Sequence, residues 1–236
     1  QSFNSAAYNS TGSWFAAGSV LAKSSNNGLN WTVVLSGSPY GTIYRIVFTS
    51  PDTVYILSDN GNVSKSTNSG INWNTYIGVA TVPNDMCFIN SMTGFINENN
   101  GQPRKTTNGG LNWFTLNTGL PNLGGSLLFI NETTGFILTL GAIFKTTNGG
   151  TNWNSTLLPG MESARKIYFK NNMTGYACGN VSYKTTNTGS NWILMNTGGI
   201  FTVTSVSFPS NDTGYASTLS GHILKTITGG VSSLQL

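Results

Sequence analysis

The sequence predicts an all-β protein of the six-bladed β-propeller class, built from four-stranded antiparallel blades. A nine-residue motif, seen most clearly in Lys105–Trp113, recurs six times along the 236 residues, and its last copy is incomplete. Each repeat also contains four short apolar runs, and a repeat of about 40 residues with four strands is typical of a propeller blade. The lysines that open the six copies are Lys23, Lys65, Lys105, Lys145, Lys184 and Lys225.

The motif predicts a hairpin turn between the third and fourth strands of each blade. In Thr106-Thr107-Asn108-Gly109-Gly110 the Asn and Thr side chains are expected to bond nearby backbone N–H groups, and Gly readily adopts positive φ. A Trp closes each complete copy, and a large apolar ring that recurs once per repeat is expected to be buried as the plug between blades. These residues are Trp31, Trp73, Trp113, Trp153 and Trp192.

A second recurring turn, the Thr-Gly pair of Thr134-Gly135, joins the first and second strands in every blade except the second. The order of runs goes from a first strand at Ser5–Tyr8 to a fourth at Ser233–Leu236, so closure is expected to depend on side-chain packing alone. The alternative is that the chain is a fragment of a seven-bladed or larger propeller. Counting from the first strands predicts a single domain, 1–236, with blades at about 1–36, 37–78, 79–117, 118–157, 158–197 and 198–236.

Composition favours a secreted or cell-surface protein with a neutral, hydroxyl-rich surface. Charged residues make up 8% of the chain, against about 25% in an average soluble protein. Aromatic residues at 11% and hydrophobic residues at 38% are enough to build a core, so the polar composition does not indicate disorder. No apolar run approaches the roughly 18 residues of a membrane-spanning helix, so no membrane span is expected.

The net charge of +4 does not predict nucleic-acid binding. Six of the 11 basic residues are the motif lysines, which leaves five basic residues against seven acidic ones. A phosphate-binding surface needs clustered Lys and Arg, whereas one lysine per blade is spread evenly. His222 is the only histidine, and Cys87 and Cys178 have apolar neighbours and are expected to be small buried hydrophobes. No cofactor or metal site is predicted.

The motif resembles the Asp-box, or BNR repeat, whose pattern is Ser/Thr-x-Asp-x-Gly-x-Thr-Trp. The stretch Thr106–Trp113 fits it position by position, with Asn in place of both Asp and Thr. The flanking Thr174–Asn180 and Tyr183–Thr186 look most like the repeats of photosystem II assembly factors and of secreted bacterial BNR proteins, and the sialidase propellers are more distant. The resemblance implies a propeller, but these proteins share a scaffold and not a chemistry.

Two enzymatic functions were tested against the residues, and neither is favoured. A sialidase would need three arginines around a substrate carboxylate, but the arginines here do not recur in register, and Arg104 is expected in the loop after a second strand. A glycosidase needs two carboxylates about 5 to 9 Å apart. Asp85 with Glu98 or Asp59, in neighbouring blades 2 and 3, is the only pairing that can be placed close together. The three arginines of the sequence are Arg45, Arg104 and Arg165.

A binding site is predicted at the mouth of the central channel, on the face opposite the motif turns. The residues three positions before the recurrent first-strand Phe share one side of the innermost strand, and the loops between the second and third strands complete this rim. Such irregular loops on a rigid scaffold are where function concentrates. The inner-strand set is Arg45, Asp85, Ser126, Lys166 and Ser205, and the predicted contacts are Arg45, Asp85, Glu98, Arg104 and Lys166.

Three functions are therefore carried forward. The favoured one is a secreted, non-enzymatic propeller that acts as a binding or structural module for a protein or polysaccharide at the channel mouth. The first alternative is a carbohydrate-active enzyme or lectin of the Asp-box type. The second is an assembly factor for a larger complex, while the oligomeric state is left open.

Overall fold

The computed structural model describes residues 3–37, 39–116, 119–120, 125–195 and 201–229. Within these ranges every regular element is a β-strand and no helix is present. Consecutive strands pair antiparallel to form five four-stranded sheets and one three-stranded sheet. The fold is a six-bladed β-propeller, as the sequence predicts.

The chain divides into two compact units, Gln1–Gly124 with blades 1 to 3 and Gly125–Leu236 with blades 4 to 6. Among the described residues, no helix has the length and apolar character that a membrane span requires. In unit 1, blade 1 comprises β1 (Phe3–Tyr8), β2 (Trp14–Gly18), β3 (Val20–Ser24) and β4 (Thr32–Ser36); blade 2 comprises β5 (Ile43–Phe48), β6 (Val54–Ser58), β7 (Val63–Ser66) and β8 (Asn74–Tyr76); and blade 3 comprises β9 (Pro83–Phe88), β10 (Gly94–Glu98), β11 (Arg104–Thr106) and β12 (Phe114–Thr115).

In unit 2 the same order repeats, and the predicted fourth strand of blade 6 at Ser233–Leu236 lies outside the described residues. Blade 4 comprises β13 (Ser126–Phe129), β14 (Gly135–Thr139), β15 (Ala142–Thr146) and β16 (Asn154–Leu157); blade 5 comprises β17 (Ala164–Phe169), β18 (Gly175–Gly179), β19 (Ser182–Thr185) and β20 (Ile193–Leu194); and blade 6 comprises β21 (Val203–Ser207), β22 (Gly214–Thr218) and β23 (Ile223–Thr226).

The nine-residue motif forms the turn between the third and fourth strands, as predicted, and we call it the box turn. In blade 3 the Thr106 hydroxyl accepts hydrogen bonds from the Asn108 and Gly110 N–H groups at 3.4 and 2.9 Å. The Asn108 amide oxygen accepts one from the Asn112 N–H at 3.0 Å. The Asn side chain therefore bonds a backbone N–H four residues further along the chain.

Trp73, Trp113 and Trp192 pack against the core that their blade shares with the preceding one, as the sequence predicts, but none of the motif tryptophans is fully buried. Trp31 is 43% exposed and the other four are half-buried. In blades 1, 2 and 4 the indole N–H donates to the carbonyl of the Gly three residues earlier at 3.0 to 3.1 Å, so the ring caps its own turn. Trp113 packs edge-on against Phe88 with 5.9 Å between ring centroids. Trp192 also lies edge-on against Phe136 of blade 4, with 6.4 Å between ring centroids, so part of the indole contacts the preceding blade and part is left to solvent.

The fully buried rings between blades are the aromatic residues at the second position of each second strand. Each hydrophobic core lies between two neighbouring blades, because this ring projects from one sheet onto the next; Tyr55, for example, packs with Met86 and Ile96 of blade 3. These rings are at most 2% exposed in blades 1 to 5. They are Phe15, Tyr55, Phe95, Phe136 and Tyr176.

The motif lysines connect one blade to the next. In each described blade the lysine Nζ lies 5.2 to 5.9 Å from the centroid of its own blade's second-strand ring, within cation–π range. The same Nζ of Lys65 donates to the Gly109 carbonyl in the box turn of blade 3 at 2.9 Å. The Tyr55 hydroxyl donates to that carbonyl as well, also at 2.9 Å.

Two further junctions repeat this contact. Lys23 of blade 1 donates to the Ser69 carbonyl of blade 2 at 2.6 Å, and Lys184 of blade 5 donates to the Gly229 carbonyl of blade 6 at 2.7 Å. The accepting residues Ser69 and Gly229 have positive φ, which turns their carbonyls out of the hairpin and toward the preceding blade. Burial, together with the charge of Lys170, lowers the pKa of Lys184. The motif lysines of blades 1, 2 and 5 thus have a structural role.

We expect Lys65→Met to lower the free energy of unfolding by about 1.5 to 3 kcal/mol, the usual contribution of a hydrogen bond that involves a charged group. Methionine keeps an apolar stem over the Tyr55 ring and removes only the ammonium group. Urea denaturation measures the change. Lys225→Met is the matched control, since Lys225 lies over Tyr215 at 5.9 Å and has no hydrogen-bond acceptor in the described residues. Equal losses in the two variants would contradict the role given to Lys65.

Candidate functional site

Each blade has two ends of different character. At one end the box turn bonds the first-strand corner of its own blade, as in the Ser69 N–H to Asp52 carbonyl bond of 2.8 Å. At the other end the loop after the second strand bonds the segment that enters the blade. The Asn99 N–H donates to the Val82 carbonyl at 2.9 Å, and equivalent bonds occur in blades 5 and 6. We call this second end the entry face; it is the side on which the sequence predicts the binding site.

A β-bulge recurs where the first strand begins, on the entry face, and the sequence analysis did not predict it. In blades 1, 2, 3, 5 and 6 one residue is skipped in the pairing of the first and second strands. Bulges re-aim side chains and are common beside functional sites. The bulge residue lies one position before the predicted inner-strand set, four residues ahead of the recurrent Phe. The bulge residues are Asn4, Tyr44, Asn84, Arg165 and Thr204.

Arg45 and Asp85, two of the predicted contacts, form an ion pair between blades 2 and 3. The guanidinium Nε lies 3.0 Å from the Asp85 carboxylate, and Nε also donates to the Met86 carbonyl at 3.3 Å. The Asp85 carboxylate accepts a bond from the Met86 N–H at 2.9 Å. The Asp85 side chain is 9% exposed and that of Arg45 is 30% exposed. Asp85 therefore positions Arg45, whose guanidinium keeps access to solvent.

Glu98 and Arg104 form the second ion pair, within blade 3. The Glu98 carboxylate has no exposed surface, and it also accepts bonds from the Thr81 N–H and hydroxyl, both at 2.7 Å, and from the Val82 N–H at 3.2 Å. Burial raises the pKa of Glu98, but the bonds from Arg104, Thr81 and Val82 outweigh it, so its pKa lies below the ordinary 4.5. The carboxylate is thus a charged anchor for the entry segment of blade 3.

Arg104 is not in the loop where the sequence analysis placed it. It is the first residue of β11 and pairs with Ile96 and Thr115. The strand begins one residue earlier than the apolar pattern indicates, because Glu98 holds the guanidinium beside β10. The Arg104 side chain is 22% exposed, so it borders the entry face while its partner is buried.

The predicted pairing of carboxylates is not formed. Asp85 pairs across the sheet with Asn97. Glu98 is the next residue along β10, so its side chain projects from the opposite face of the sheet. Each carboxylate binds its own arginine. Asp59 lies in the exposed loop after β6, where its carboxylate accepts a bond from the Thr42 N–H at 2.9 Å. Among the described residues of unit 1, the entry-face carboxylates are therefore engaged in holding structure.

Lys166 belongs to unit 2 and occupies the predicted register position. It pairs with Cys178, as Arg45 pairs with Leu57 in blade 2. Lys166 is half-buried, whereas the neighbouring bulge residue Arg165 is exposed. Blade 5 thus presents two adjacent cations at the start of its first strand, one on the sheet and one on the bulge.

Two further groups with potential chemistry do not build an active site. The thiol of Cys178 lines a small apolar cleft with Tyr176, Val203 and Phe208, and burial raises its pKa to about 12, so it is protonated at neutral pH. Both cysteines are buried, as predicted. His222 lies in the exposed loop before β23 and shares a 2.9 Å hydrogen bond with the Ser220 hydroxyl. No carboxylate among the described residues is bonded to it.

Comparison with known proteins supports the fold. No protein-family model and no curated protein matches the sequence. YCF48 from Cyanidioschyzon merolae superposes with a TM-score of 0.78 at 14% identity, over 99% of this chain and 84% of that chain. The fold is a β-propeller, as in YCF48. A structure of YCF48 bound to D1 peptide gives a TM-score of 0.80 at 14% identity, over 99% of this chain and 79% of that chain.

A carbohydrate-active propeller is also similar in structure. The GH74 xyloglucanase from Xanthomonas campestris superposes with a TM-score of 0.77 at 12% identity, over 99% of this chain and 45% of that chain. At these identities the likeness establishes the scaffold, and activity and ligands have to be argued from this chain's own residues. The resemblance predicted from the box motif is confirmed at the level of fold.

We expect Glu98→Gln to lower the free energy of unfolding by about 3 to 5 kcal/mol, because Arg104 is left without its buried counter-charge. Since the folded-state pKa of Glu98 lies below 4.5, its contribution is present above that pH and is lost as the pH falls further. The wild type should therefore lose more stability than the variant between neutral pH and about pH 3. Thermal unfolding at both pH values measures this.

Glu162→Gln is the control for that experiment. Glu162 is an exposed carboxylate on the entry segment of blade 5. Its replacement should change the free energy of unfolding by no more than about 0.5 kcal/mol. An equal effect at the two sites, or a Glu98→Gln variant as acid-sensitive as the wild type, would show that Glu98 is not the charged anchor described above.

Proposed function

We propose that this chain is a secreted or cell-surface, non-enzymatic propeller that binds a protein partner through the entry face of its blades. The observation that supports this most is the pairing of partly exposed arginines with buried carboxylates. Arg45 and Arg104 are held by Asp85 and Glu98, whose side chains are 9% and 0% exposed. The proposed contacts to the partner are therefore the cations Arg45, Arg104 and Lys166, with Asp85 and Glu98 as positioning residues.

Pre-organised cations favour a partner that carries carboxylates. A guanidinium that is already fixed loses little conformational freedom on binding, so more of the interaction energy contributes to affinity. Arg45 and Arg104 have their Nε atoms bound to protein carboxylates. Guanidinium has five N–H donors, and the terminal nitrogens are left to bind an acidic side chain or a peptide C-terminus.

The entry face is also the irregular face. The box turns repeat the same internal hydrogen bonds in blade after blade, and a partner would meet nearly identical surfaces on them. On the entry face the bulge position changes in character from Tyr44 to Asn84 to Arg165. Such variation on a common scaffold allows one partner to be distinguished from others.

The relatives support a protein partner over other ligands. YCF48, which has this fold, is known in a complex described as bound to D1 peptide. By analogy we propose that this chain also binds a peptide. A role as an assembly factor would be a specific case of such binding. The extracellular location is supported by the neutral surface, in which charged residues are 8% of the chain.

A polysaccharide is the second candidate ligand, favoured by one specific observation. Tyr44 is a bulge residue on the entry face and is 41% exposed, with no hydrogen bond among the described residues. Exposed aromatic rings are suited to stacking on sugar rings, and the GH74 propeller shares the fold. A glycan array that includes xyloglucan oligosaccharides separates this candidate from a peptide ligand.

The proposal predicts which peptides bind. Panning the protein against a phage-displayed random peptide library should enrich peptides with acidic residues or an acidic C-terminus. Arg45→Gln and Lys166→Gln should each lower the affinity for the selected peptides about tenfold, which corresponds to a loss of about 1.4 kcal/mol in binding free energy. Affinity is measured by calorimetry with the synthetic peptides.

Leu111→Ser and Met173→Ser are the controls, because both side chains are 59% exposed at the opposite, box-turn end of their blades. They should leave peptide affinity unchanged. The selected peptides could instead lose binding to these two variants and keep binding to Arg45→Gln. That result would show that the entry face is not the binding surface. Enrichment on the glycan array without enriched peptides would favour the polysaccharide instead.

A further inference from the structure

The outer edge of blade 4 differs from the outer edges of the other blades. A strand at the edge of a sheet presents unpaired N–H and C=O groups, and proteins usually protect such edges with short strands, bulges, charges or proline. In blades 2, 3 and 5 the fourth strand has three, two and two residues, and in blade 1 a bulge interrupts the pairing of β4 with β3. In blade 4, β16 has four residues that pair with β15 without a register shift. Among the fourth strands that the structure describes, β16 therefore has the least protected edge.

The β16 strand also has neither charge nor proline. Its sequence is Asn154-Ser155-Thr156-Leu157, and all four residues are exposed. It pairs with β15 on one side and with no described strand on the other. Both strands lie in the unit Gly125–Leu236, so this edge is defined within one unit.

The groups available on this edge belong to Ser155 and Leu157. The Leu158 N–H donates to the Gly141 carbonyl at 2.8 Å, on the β15 side. Backbone N–H and C=O groups alternate in direction along a strand, so those of Thr156 also point to β15, while those of Ser155 and Leu157 point away from it. Two donors and two acceptors are therefore available for pairing with another strand.

We propose that two copies of this chain associate through their β16 edges, which pair antiparallel about a two-fold axis at Thr156. In this register Ser155 of each copy lies opposite Leu157 of the other, and the two donors of each copy meet the two acceptors of the other. Thr156 lies beside its own counterpart, and Thr–Thr pairs are favourable across antiparallel strands. Leu157 lies diagonally next to its counterpart, close enough for the two side chains to cover each other.

A second copy suits this edge better than another kind of partner. The available groups are symmetric about Thr156, and a strand without charge meets no like-charge repulsion from an identical strand. Pro159 is the next position that points outward and has no N–H, so the row of donors is short and matches an equally short strand. Two strands of this length bury less than the roughly 1,200 Å² of a stable interface, so the dimer is weak.

The antiparallel pairing sets the orientation of the two copies at this edge. Because β16 runs from the box turn to the entry face of blade 4, the entry end of one blade 4 lies beside the box-turn end of the other. The entry ends of the two blades therefore point in opposite directions, which lets a dimer join two partners. The pairing itself uses no entry-face residue, so it stands or falls independently of the proposed function.

Sedimentation velocity of the full chain from micromolar to millimolar concentration should show a mass that rises to that of a dimer and no further, because a two-fold interface is closed. Amide hydrogen exchange followed by NMR locates the interface. The Ser155 and Leu157 amides should exchange rapidly in dilute protein and become protected as the dimer forms, whereas the Thr156 amide is protected throughout. A monomer at every concentration, growth beyond a dimer, or a dimer without new protection at Ser155 and Leu157 would overturn the proposal.

Two variants disable the edge in different ways. Ser155→Pro removes an N–H that points away from β15, so the bonds within blade 4 are kept and each copy loses one donor to the other. Leu157→Lys places like charges near each other across the two-fold axis. Each should raise the dissociation constant of the dimer about tenfold or more. Far-UV circular dichroism verifies folding, and Leu157→Lys decides the test if Ser155→Pro does not fold. A folded Leu157→Lys variant that dimerises like the wild type would contradict the proposed pairing.

Ile193→Lys is the matched control. Ile193 is an exposed apolar residue on β20, the two-residue fourth strand of blade 5. The substitution adds the same charge to a different outer edge, so the dissociation constant of the dimer should not change. If Ile193→Lys weakens the dimer as much as Leu157→Lys does, the effect is one of added charge in general, and the assignment of the interface to β16 is wrong.

Discussion

The structure depends on an ammonium group held between an aromatic ring of one blade and a backbone carbonyl of the next. The carbonyl belongs to the positive-φ residue of a box turn, so it projects out of its own hairpin and needs a donor from elsewhere. A lysine suits this position because its stem lies along apolar surface while its head group reaches the acceptor. In Lys65 the ring and the carbonyl are engaged together. This gives a structural reason for the motif lysines of blades 1, 2 and 5 in a chain so poor in charge.

The parts of the fold that the sequence predicted correctly are those whose determinants lie within one motif. The box turn is fixed by contacts such as Thr106 to Gly110 and Asn108 to Asn112, only four residues apart. The lysine contact joins Lys65 to a residue 44 positions away, and nothing in either copy of the motif identifies its partner. The tryptophans were predicted in part. Trp73 packs against the core shared with blade 1, as expected, but its N–H also donates to the Gly70 carbonyl of its own turn, which the motif did not predict.

At the candidate site the register was predictable and the pairing was not. Alternation placed Arg45 and Asp85 at equivalent positions of neighbouring first strands, and the strand pairing agrees. Whether two opposite charges at equivalent positions bind each other depends on the tilt and spacing of the blades. The sequence alone does not give that tilt or spacing. The recurrent bulge was hidden for another reason. An extra residue that is present in nearly every blade leaves the period unchanged, so counting residues cannot reveal it.

The two ends of a blade are under different constraints, and this decides where specificity can arise. A box turn has to satisfy its own N–H groups and also fit the ring and lysine of the preceding blade, so a change there affects two blades at once. The Gly70 position shows how tight the fit is, because an added Cβ would come within 2.6 Å of the Phe15 ring. The entry segment is held by backbone bonds such as Asn99 to Val82 and by side chains that differ between blades, such as Glu98 in blade 3 and Asn180 in blade 5. Residues on the entry face are therefore free to diverge from blade to blade, and the ion pairs of Arg45 and Arg104 occur only where that freedom exists.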